Sequence, residues 1–419
     1  MPAPLLIVVV VAAYLGLAEL SSLLAYAPTD AWSVWLATSL TLGVLLVAGR
    51  ARRVAVLIGA ALGAAIFALL ISPGHYLDAA GYAAIEVLSA LAGAWTARQL
   101  APLPLTLARP RELAALVVGA LAMSIIGGAL GGAWSASAGS GDAISTFVVW
   151  ALSDFVGGLL VIPVVVTWAG FRAKRSGGLT MPQFAGGAIA CLLFLGALQL
   201  VFGTDATGRL PGSIGMTLTY PPILFMALIA LTWGARGAAL AAFAGAMIAL
   251  AHTVHGGGPF AAVEGFVGEA NLEAQGYAAC IAVTGLLIAV LAARERSAWR
   301  AARDWRTRFE AAIGAHRLVA YDWDPASGTL AFTGDTAALV GVPAAHIATL
   351  SDWLAHVAAD ERDAIEVAFG LRADGGAMPV LRYRVQRADG EAVTLSDEAQ
   401  AIRDHDGSLH RITGIVRAS

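Results

Sequence analysis

The stretch Leu286-Leu-Ile-Ala-Val-Leu-Ala-Ala293 runs without a break into Arg294-Glu-Arg-Ser-Ala-Trp-Arg-Ala-Ala-Arg-Asp-Trp-Arg-Thr-Arg-Phe-Glu-Ala-Ala-Ile313. Its first part is apolar enough for a bilayer, and its second is rich in arginine. No glycine or proline interrupts it, so it predicts one continuous helix able to carry tilt or rotation from one solvent to the other. A seam of Leu291, Ala298, Ala302, Trp305, Phe309 and Ala312, which also contains Glu295, fits a parallel dimeric coiled coil weakly. A solvated linker helix with a few packed aromatics fits the same composition. Trp299, Trp305 and Phe309 are the residues through which such a helix would make its contacts.

Outward from this junction, the 419 residues are 58% hydrophobic and 13% charged, with a mean hydropathy of +0.74. That excludes a soluble globular protein of this length. Well over half of the Asp, Glu, Lys and Arg residues lie beyond Ala293, so a membrane part precedes a soluble one. A formal net charge of -3, with basic residues at membrane edges, argues against nucleic acid as a partner. Cys191 and Cys280 offer neither metal-ligand spacing nor a disulfide framework, and no metal site is expected.

A helical span needs about 20 apolar residues. On that measure ten candidates stand at residues 4–26, 31–49, 54–72, 79–100, 112–134, 144–171, 183–202, 217–234, 237–254 and 275–293. Every even-numbered exit is basic: Arg50, Arg52 and Arg53; Arg98, Arg109 and Arg111; Arg172, Lys174 and Arg175; Arg236; and the Arg294 run. The odd-numbered exits carry Asp30, Asp78, Asp142, Asp205, Glu264, Glu269 and Glu273, with Arg209 the one basic residue among them. The positive-inside rule then places both termini in the cytoplasm. Gly127-Gly128 and Gly131-Gly132 set small residues at helix-packing spacing.

Glu19, Glu86 and Asp154 fall within spans, where a carboxylate is costly and points to function. At 1.5 Å per residue, Glu19 and Glu86 sit about 11–12 Å from the outer end of their spans and Asp154 about 15 Å. No Lys or Arg within the spans can pair with them. They are expected to be protonated, bonded to neighbouring hydroxyls, or placed around a watery cavity that takes a cation or an amine. Hydrogen bonding between helices is the competing role for each. His252 and His255, at the outer end of the ninth span, are further candidates for such a site. An interfacial belt accounts for Trp32, Trp35, Tyr82 and Trp134.

Three stretches resemble the first-described membrane-associated sensor domain (MASE type one) of bacterial signalling proteins. They are Val148-Val-Trp-Ala-Leu-Ser-Asp-Phe-Val-Gly-Gly-Leu-Leu-Val-Ile-Pro163; Tyr220-Pro-Pro with Trp233-Gly-Ala-Arg-Gly-Ala238; and Trp35 through Gly49 to Gly59. The resemblance covers residues 5–295 and implies sensing, with Asp154 and Glu86 at positions where that family carries acids. Eight spans are usual for it.

Past Leu318 the pattern changes to short alternating runs. Strands are expected at 318–323, 329–332, 380–387, 392–401 and 409–416, with helices at 335–341 and 360–372. Asp389-Gly390 and Asp406-Gly407 mark hairpins. Trp353, His356, Asp360 and Arg362, followed by Tyr383-Arg-Val-Gln-Arg-Ala-Asp-Gly390, resemble a PAS domain of the third fold subfamily over residues 309–417. Trp353 and Tyr383 are its pocket candidates, read as packing residues of a relay domain without a cofactor.

The expected fold is thus a polytopic α-helical membrane bundle of 8–10 spans (residues 1–293), a linker helix (294–313) and an α+β PAS domain with a five-stranded antiparallel sheet (314–419). No phosphoacceptor histidine helix, nucleotide box, cyclic-dinucleotide motif, P-loop or nucleophile triad occurs in residues 1–419, so no catalytic residue is assigned. The leading expectation is an inner-membrane sensor, homodimeric through linker and PAS domain, that relays to a diguanylate cyclase, phosphodiesterase or histidine kinase output. A transporter or channel with a regulatory PAS domain is the alternative. A plain membrane anchor is a third.

Overall fold

The apolar runs become helices, and the places where they fail to do so shape the membrane part. In order, α1 (Ala3–Ser22), α2 (Ala37–Val47), α3 (Arg50–Ile71), α4 (Tyr76–Leu100), α5 (Pro110–Ser137), α6 (Ala143–Trp168) and α7 (Met181–Phe202) precede the short α8 (Gly212–Thr217). Then come α9 (Pro221–Val254), the short α10 (Gly258–Ala261) and α11 (Glu269–Ala315). The computed structural model describes residues 2–28, 31–139, 142–170, 178–203, 212–262, 265–373, 378–405 and 407–419. Asp30, Arg172, Lys174, Arg175, Asp205, Arg209, Glu264 and Asp406 lie outside the described residues. The chain divides into two compact units, Met1–Arg296 and Ser297–Ser419.

Eight helical runs among the described residues are long and apolar enough to cross a membrane, with Gly215–Ala261 counted as one. That run reverses within α9, at Gly234. Met226 and Ala238 both come against Gly285, yet on one straight helix they would stand about 18 Å apart along the axis. The half before Gly234 descends beside α11, from Thr219, whose carbonyl accepts the Tyr277 hydroxyl, to Leu231, whose carbonyl accepts Arg296. The second half climbs beside α7, from Trp233 at Phe184 to His252 at Gln199. Gly234 takes φ +65°, a left-handed conformation that glycine adopts without steric cost. This is the turn expected between residues 234 and 237.

The expected second span, residues 31–49, is helical only in its latter part. Val10 meets Gly59 and Tyr14 meets Gly63, so α1 and α3 run parallel and the chain crosses back between them, but the helix there covers only Ala37–Val47, about 16 Å, too short by itself for the ~30 Å hydrocarbon core. Residues 31–36 instead enter the bundle as non-helical backbone, beginning with β2 (Ala31–Trp32) of a small hairpin with β1 (Ala25–Tyr26), and Ser33, Val34 and Leu36 are fully buried. Buried non-helical backbone survives at such depth only if its polar groups find partners. Here they do. The Ser33 N–H donates to Leu24 O and the Trp35 N–H to Ser153 O, both at 3.1 Å, and the Leu36 N–H donates to Ser21 Oγ at 3.0 Å. The Trp32 carbonyl accepts the Ser153 hydroxyl, and the Ser33 carbonyl accepts Nε2 of Gln275 at 2.7 Å. Three helices, α1, α6 and α11, and the turn after α1 therefore converge on one short segment.

Small residues let α5 approach α6: Gly128 faces the Phe147 carbonyl and Ala151, Gly131 the Trp150 ring, and Gly132 the Ala143 carbonyl. Helix starts are capped by Asp142, which accepts from Ser145 N, and by the Thr180–Gln183 capping box.

The second unit forms one antiparallel sheet in the order β4-β3-β7-β6-β5, from β3 (Val319–Trp323), β4 (Leu330–Thr333), β5 (Leu381–Gln386), β6 (Ala392–Arg403) and β7 (Leu409–Ala418). The helices α12 (Thr336–Val340), α13 (Leu350–Ala355) and α14 (Arg362–Ala373) lie between β4 and β5 in sequence. Alternation in β5 buries Tyr383 and Val385 and exposes Arg382, Arg384 and Gln386. The buried residues join Val319, Tyr321, Trp323, Val340, Trp353, Phe369, Leu395 and Ile412 in one core.

Candidate functional site

The non-helical segment and the helices around it enclose a cavity of about 360 Å³ within the first unit. Trp32 and Trp35 stack at 4.5 Å between ring centroids, with Phe67 at 5.6 Å from Trp35. Tyr82 and Trp150 form a second aromatic pair at 5.9 Å. Tyr14, Thr38, Ser89, Ser153, Glu86 and Asp154 also line the cavity, together with Asp78. The Asp78 Oδ1 accepts the indole N–H of Trp134 at 3.1 Å.

Two of the three intramembrane acids meet here, and their surroundings differ. Glu86 is saturated. Its Oε2 accepts the Thr38 hydroxyl at 2.7 Å and the Tyr14 hydroxyl at 3.2 Å, while Oε1 accepts the Thr41 hydroxyl at 2.7 Å. The Trp35 indole N–H, which can only donate, points at Thr38 Oγ1 at 2.9 Å and so turns that hydroxyl's proton toward Glu86. Glu86 thereby ties α1, α2 and α4 together. Asp154 is 5% exposed, and its Oδ1 is buried without a hydrogen-bond partner. Gly127 makes room for it, since a Cβ there would stand 2.9 Å from Asp154 Oδ2.

Glu19 does not join this site: it is exposed on α1 and absent from the cavity wall. One helical face of α1 is buried through Tyr14 and Ala18, and Glu19, next in sequence to Ala18, turns away from it. His252 and His255 are also elsewhere. His252 Nε2 stands 3.3 Å from Gln199 Oε1, and His255 Nδ1 lies 2.7 Å from the Ala251 carbonyl, one turn back on its own helix. Trp32, Trp35 and Tyr82 line the cavity, a role that an interfacial belt does not describe. Tyr14 and Phe67 each stand in an ordinary apolar run that does not single them out, and Trp150 enters the sequence reading only within the stretch that carries the family resemblance. The signal that could have found Trp150 is its i−4 spacing from Asp154, which sets both on one helix face.

In the second unit, Trp353 and Tyr383 are packed together. The Trp353 indole N–H donates to the Tyr383 hydroxyl at 3.0 Å, and that hydroxyl donates to Asp397 Oδ2 at 3.3 Å. The network continues to a fully buried ion pair, Arg372–Asp397 at 3.1 Å, and to the Tyr321 hydroxyl, which accepts from Arg372 at 2.9 Å and donates to Asp397 at 3.0 Å. Burial pushes the Tyr321 and Tyr383 phenols well above the usual tyrosine range. It also raises the Asp397 carboxyl, against the pull of Arg372. The sequence pattern places Arg372 at the end of an expected helix and Asp397 within an expected strand, and nothing in it pairs the two. On α11, Trp299 and Trp305 are exposed, and Trp305 stacks on Phe309 at 5.2 Å.

Comparison with known proteins places two family models on the chain. The MASE1 model matches residues 4–297, and the PAS fold model matches residues 332–416. Two solved structures are similar over part of the chain. One is the N-terminal domain of a diguanylate cyclase with PAS/PAC sensor from Marinobacter aquaeolei, 17% identical over 24% of this chain and 94% of that one, with a TM-score of 0.23. The other is a sensory box histidine kinase/response regulator from Burkholderia thailandensis, 18% identical over 26% of this chain and 83% of that one, with a TM-score of 0.23. No curated protein matches the chain.

Proposed function

This chain belongs to the MASE1 family and carries a PAS fold behind its membrane unit, and we propose on that premise that the cavity is the input of a membrane sensor and α11 its transmitter. The observation that carries the proposal is the Gln275–Ser33 hydrogen bond. Ser33 sits between Trp32 and Trp35, which line the cavity, and Gln275 is on α11, which continues as one helix to Ala315. A ligand that moves either indole pulls on the backbone to which Gln275 is bonded. Ser33 Oγ and Gln275 Oε1 are both buried without partners, so the junction has a second set of hydrogen bonds to move to. Such a local choice between two bonded arrangements is what a switch needs.

From α11 the motion passes to the PAS fold and on to an output such as a diguanylate cyclase, phosphodiesterase or histidine kinase. The protein sits in the bacterial inner membrane with both termini cytoplasmic, as the basic even-numbered exits support. A second copy pairs along α11, where Trp299 and Trp305 are exposed. Trp353 and Tyr383, spent on each other and on Asp397, support a relay role for the PAS fold without a bound cofactor.

The test fuses residues 1–419 to a diguanylate cyclase domain and compares the unaltered chain with Gln275→Leu at equal membrane level. Losing the bond leaves the Ser33 carbonyl buried and unpaired, a cost of about 1–3 kcal/mol borne by one arrangement of the junction. Output is therefore expected to shift at least about fivefold. Gln275→Glu, which keeps an acceptor but loses the Nε2 donor, is expected to shift output in the same direction. Unchanged output in both variants rules out this transmission route.

A further inference from the structure

The cavity's wall chemistry is asymmetric in a way that selects a ligand. Its aromatic part, Trp32, Trp35, Tyr82 and Trp150, offers π faces and apolar area. Its polar part holds three carboxyl groups, Asp78, Glu86 and Asp154, and no lysine or arginine is among the described residues that line it. Glu86 already accepts three hydroxyl donors. Asp154 accepts none at Oδ1, although it is 95% buried by its 5% exposure. A buried carboxylate oxygen without a donor costs free energy that a native fold rarely leaves uncompensated. One molecule on the cavity side of Asp154 can supply this carboxyl group with both a donor and a positive charge.

Resting on the reading of the cavity as the input site, we propose that its ligand is a small organic ammonium ion, with N–H groups on Asp154 and an apolar body against Trp32, Trp35 and Trp150. Anions find no lysine or arginine on the described wall to pair with, and zwitterionic amino acids bring a carboxylate that faces Asp78 or Glu86. Inorganic cations want a cage of six or more oxygens, and no cluster of three His, Cys, Asp or Glu suited to a metal occurs among the described residues. An ammonium ion fits both halves of the wall. It gives Asp154 a charge-assisted hydrogen bond and gains cation–π attraction from the rings. The volume of about 360 Å³ lies in the range of small-molecule sites.

The full chain, purified into lipid nanodiscs, is titrated calorimetrically at pH 7 with phenethylamine, with its uncharged analogue 2-phenylethanol, and with tetramethylammonium. Phenethylamine is expected to bind, with the alcohol and the N–H-free cation each at least tenfold weaker. Asp154→Asn keeps the side chain's size and removes its charge. It is expected to weaken phenethylamine at least tenfold and leave 2-phenylethanol unchanged. Equal affinity for amine and alcohol on the unaltered protein, or full amine affinity in Asp154→Asn, overturns the assignment. The cyclase fusion separates the two readings. Amine binding that depends on Asp154 with no change in cyclase output leaves the ligand class standing and removes the cavity as input. No amine binding, with output still shifted by Gln275→Leu, removes the ligand class and leaves the sensor.

Discussion

Gly157→Ala is expected to collapse the cavity and silence a fused output, while Gly16→Ala leaves both intact. A Cβ at Gly157 would overlap the carbonyl oxygen of Trp35 and press on Ser39 Oγ at 3.1 Å. The overlapped atom belongs to the backbone, so no rotamer change relieves it. The non-helical segment would have to leave α6, breaking the Trp35–Ser153 bond of 3.1 Å and the Leu36–Ser21 bond of 3.0 Å. Thr38, at the start of α2, would be drawn off Glu86 as well. Overpacking a tight interior site usually costs about 1–3 kcal/mol, and the two lost hydrogen bonds set this case at or above ~3 kcal/mol. Gly16, also within a helix, has nothing within 4 Å of its would-be Cβ. Alanine there gains helix propensity of up to about 1 kcal/mol. Thermal unfolding of both variants in nanodiscs, read by intrinsic tryptophan fluorescence, checks the contrast. A Gly157→Ala protein as stable as the unaltered chain would mean that α6 does not lie against Trp35.

Arg372→Met is expected to unfold or nearly unfold the second unit, and Asp397→Leu added to it is expected to restore most of the loss. Both side chains are fully buried, 3.1 Å apart. Arg372 also donates to the Pro379 carbonyl at 3.1 Å and lies 5.1 Å from the Phe369 ring centre. Removing one partner of a buried pair strands the other and costs about 3–5 kcal/mol, against a total stability of about 5–15 kcal/mol for a domain. Replacing both by apolar residues of similar volume is often neutral or better.

A pH signature separates this cause from simple loss of packing. Burial already holds the Asp397 carboxyl above the usual range, with Arg372 the chief opposing pull, and without Arg372 it rises further. A carboxyl whose folded pKa exceeds its unfolded value, near 3.9, contributes stability below that pH and loses it as pH rises through the folded pKa. The Arg372→Met deficit is therefore full at about pH 8 and shrinks toward pH 4. Hydrogen exchange over residues 297–419 of the full chain measures it. A deficit independent of pH would assign the loss to packing around Phe369 instead.

The sequence by itself determined that the chain has a membrane part and a soluble part, and it located the helices, because transfer from water to hydrocarbon depends on composition summed along a run. The positions of the five strands along the chain followed in the same way from alternation of period two. Glu86 and Asp154 were legible as candidates because a carboxylate at membrane depth stands out by cost alone. Only the tertiary structure decided that Glu86 is saturated, that Asp154 Oδ1 has no partner, and that Glu19 faces away. Hydropathy records how a residue likes water and is blind to whether its neighbour across the bundle is lipid, a hydroxyl or a void. For the same reason residues 31–36 read as helix, since their backbone partners come from Leu24, Ser21, Ser153 and Gln275, the last 242 positions from Ser33. Nothing in the sequence marks Arg372 as buried, since an arginine is normally solvated, and only the fold brings Asp397 to meet it. Partners this far apart in sequence leave no local pattern, and here they assemble both the cavity and the route out of it.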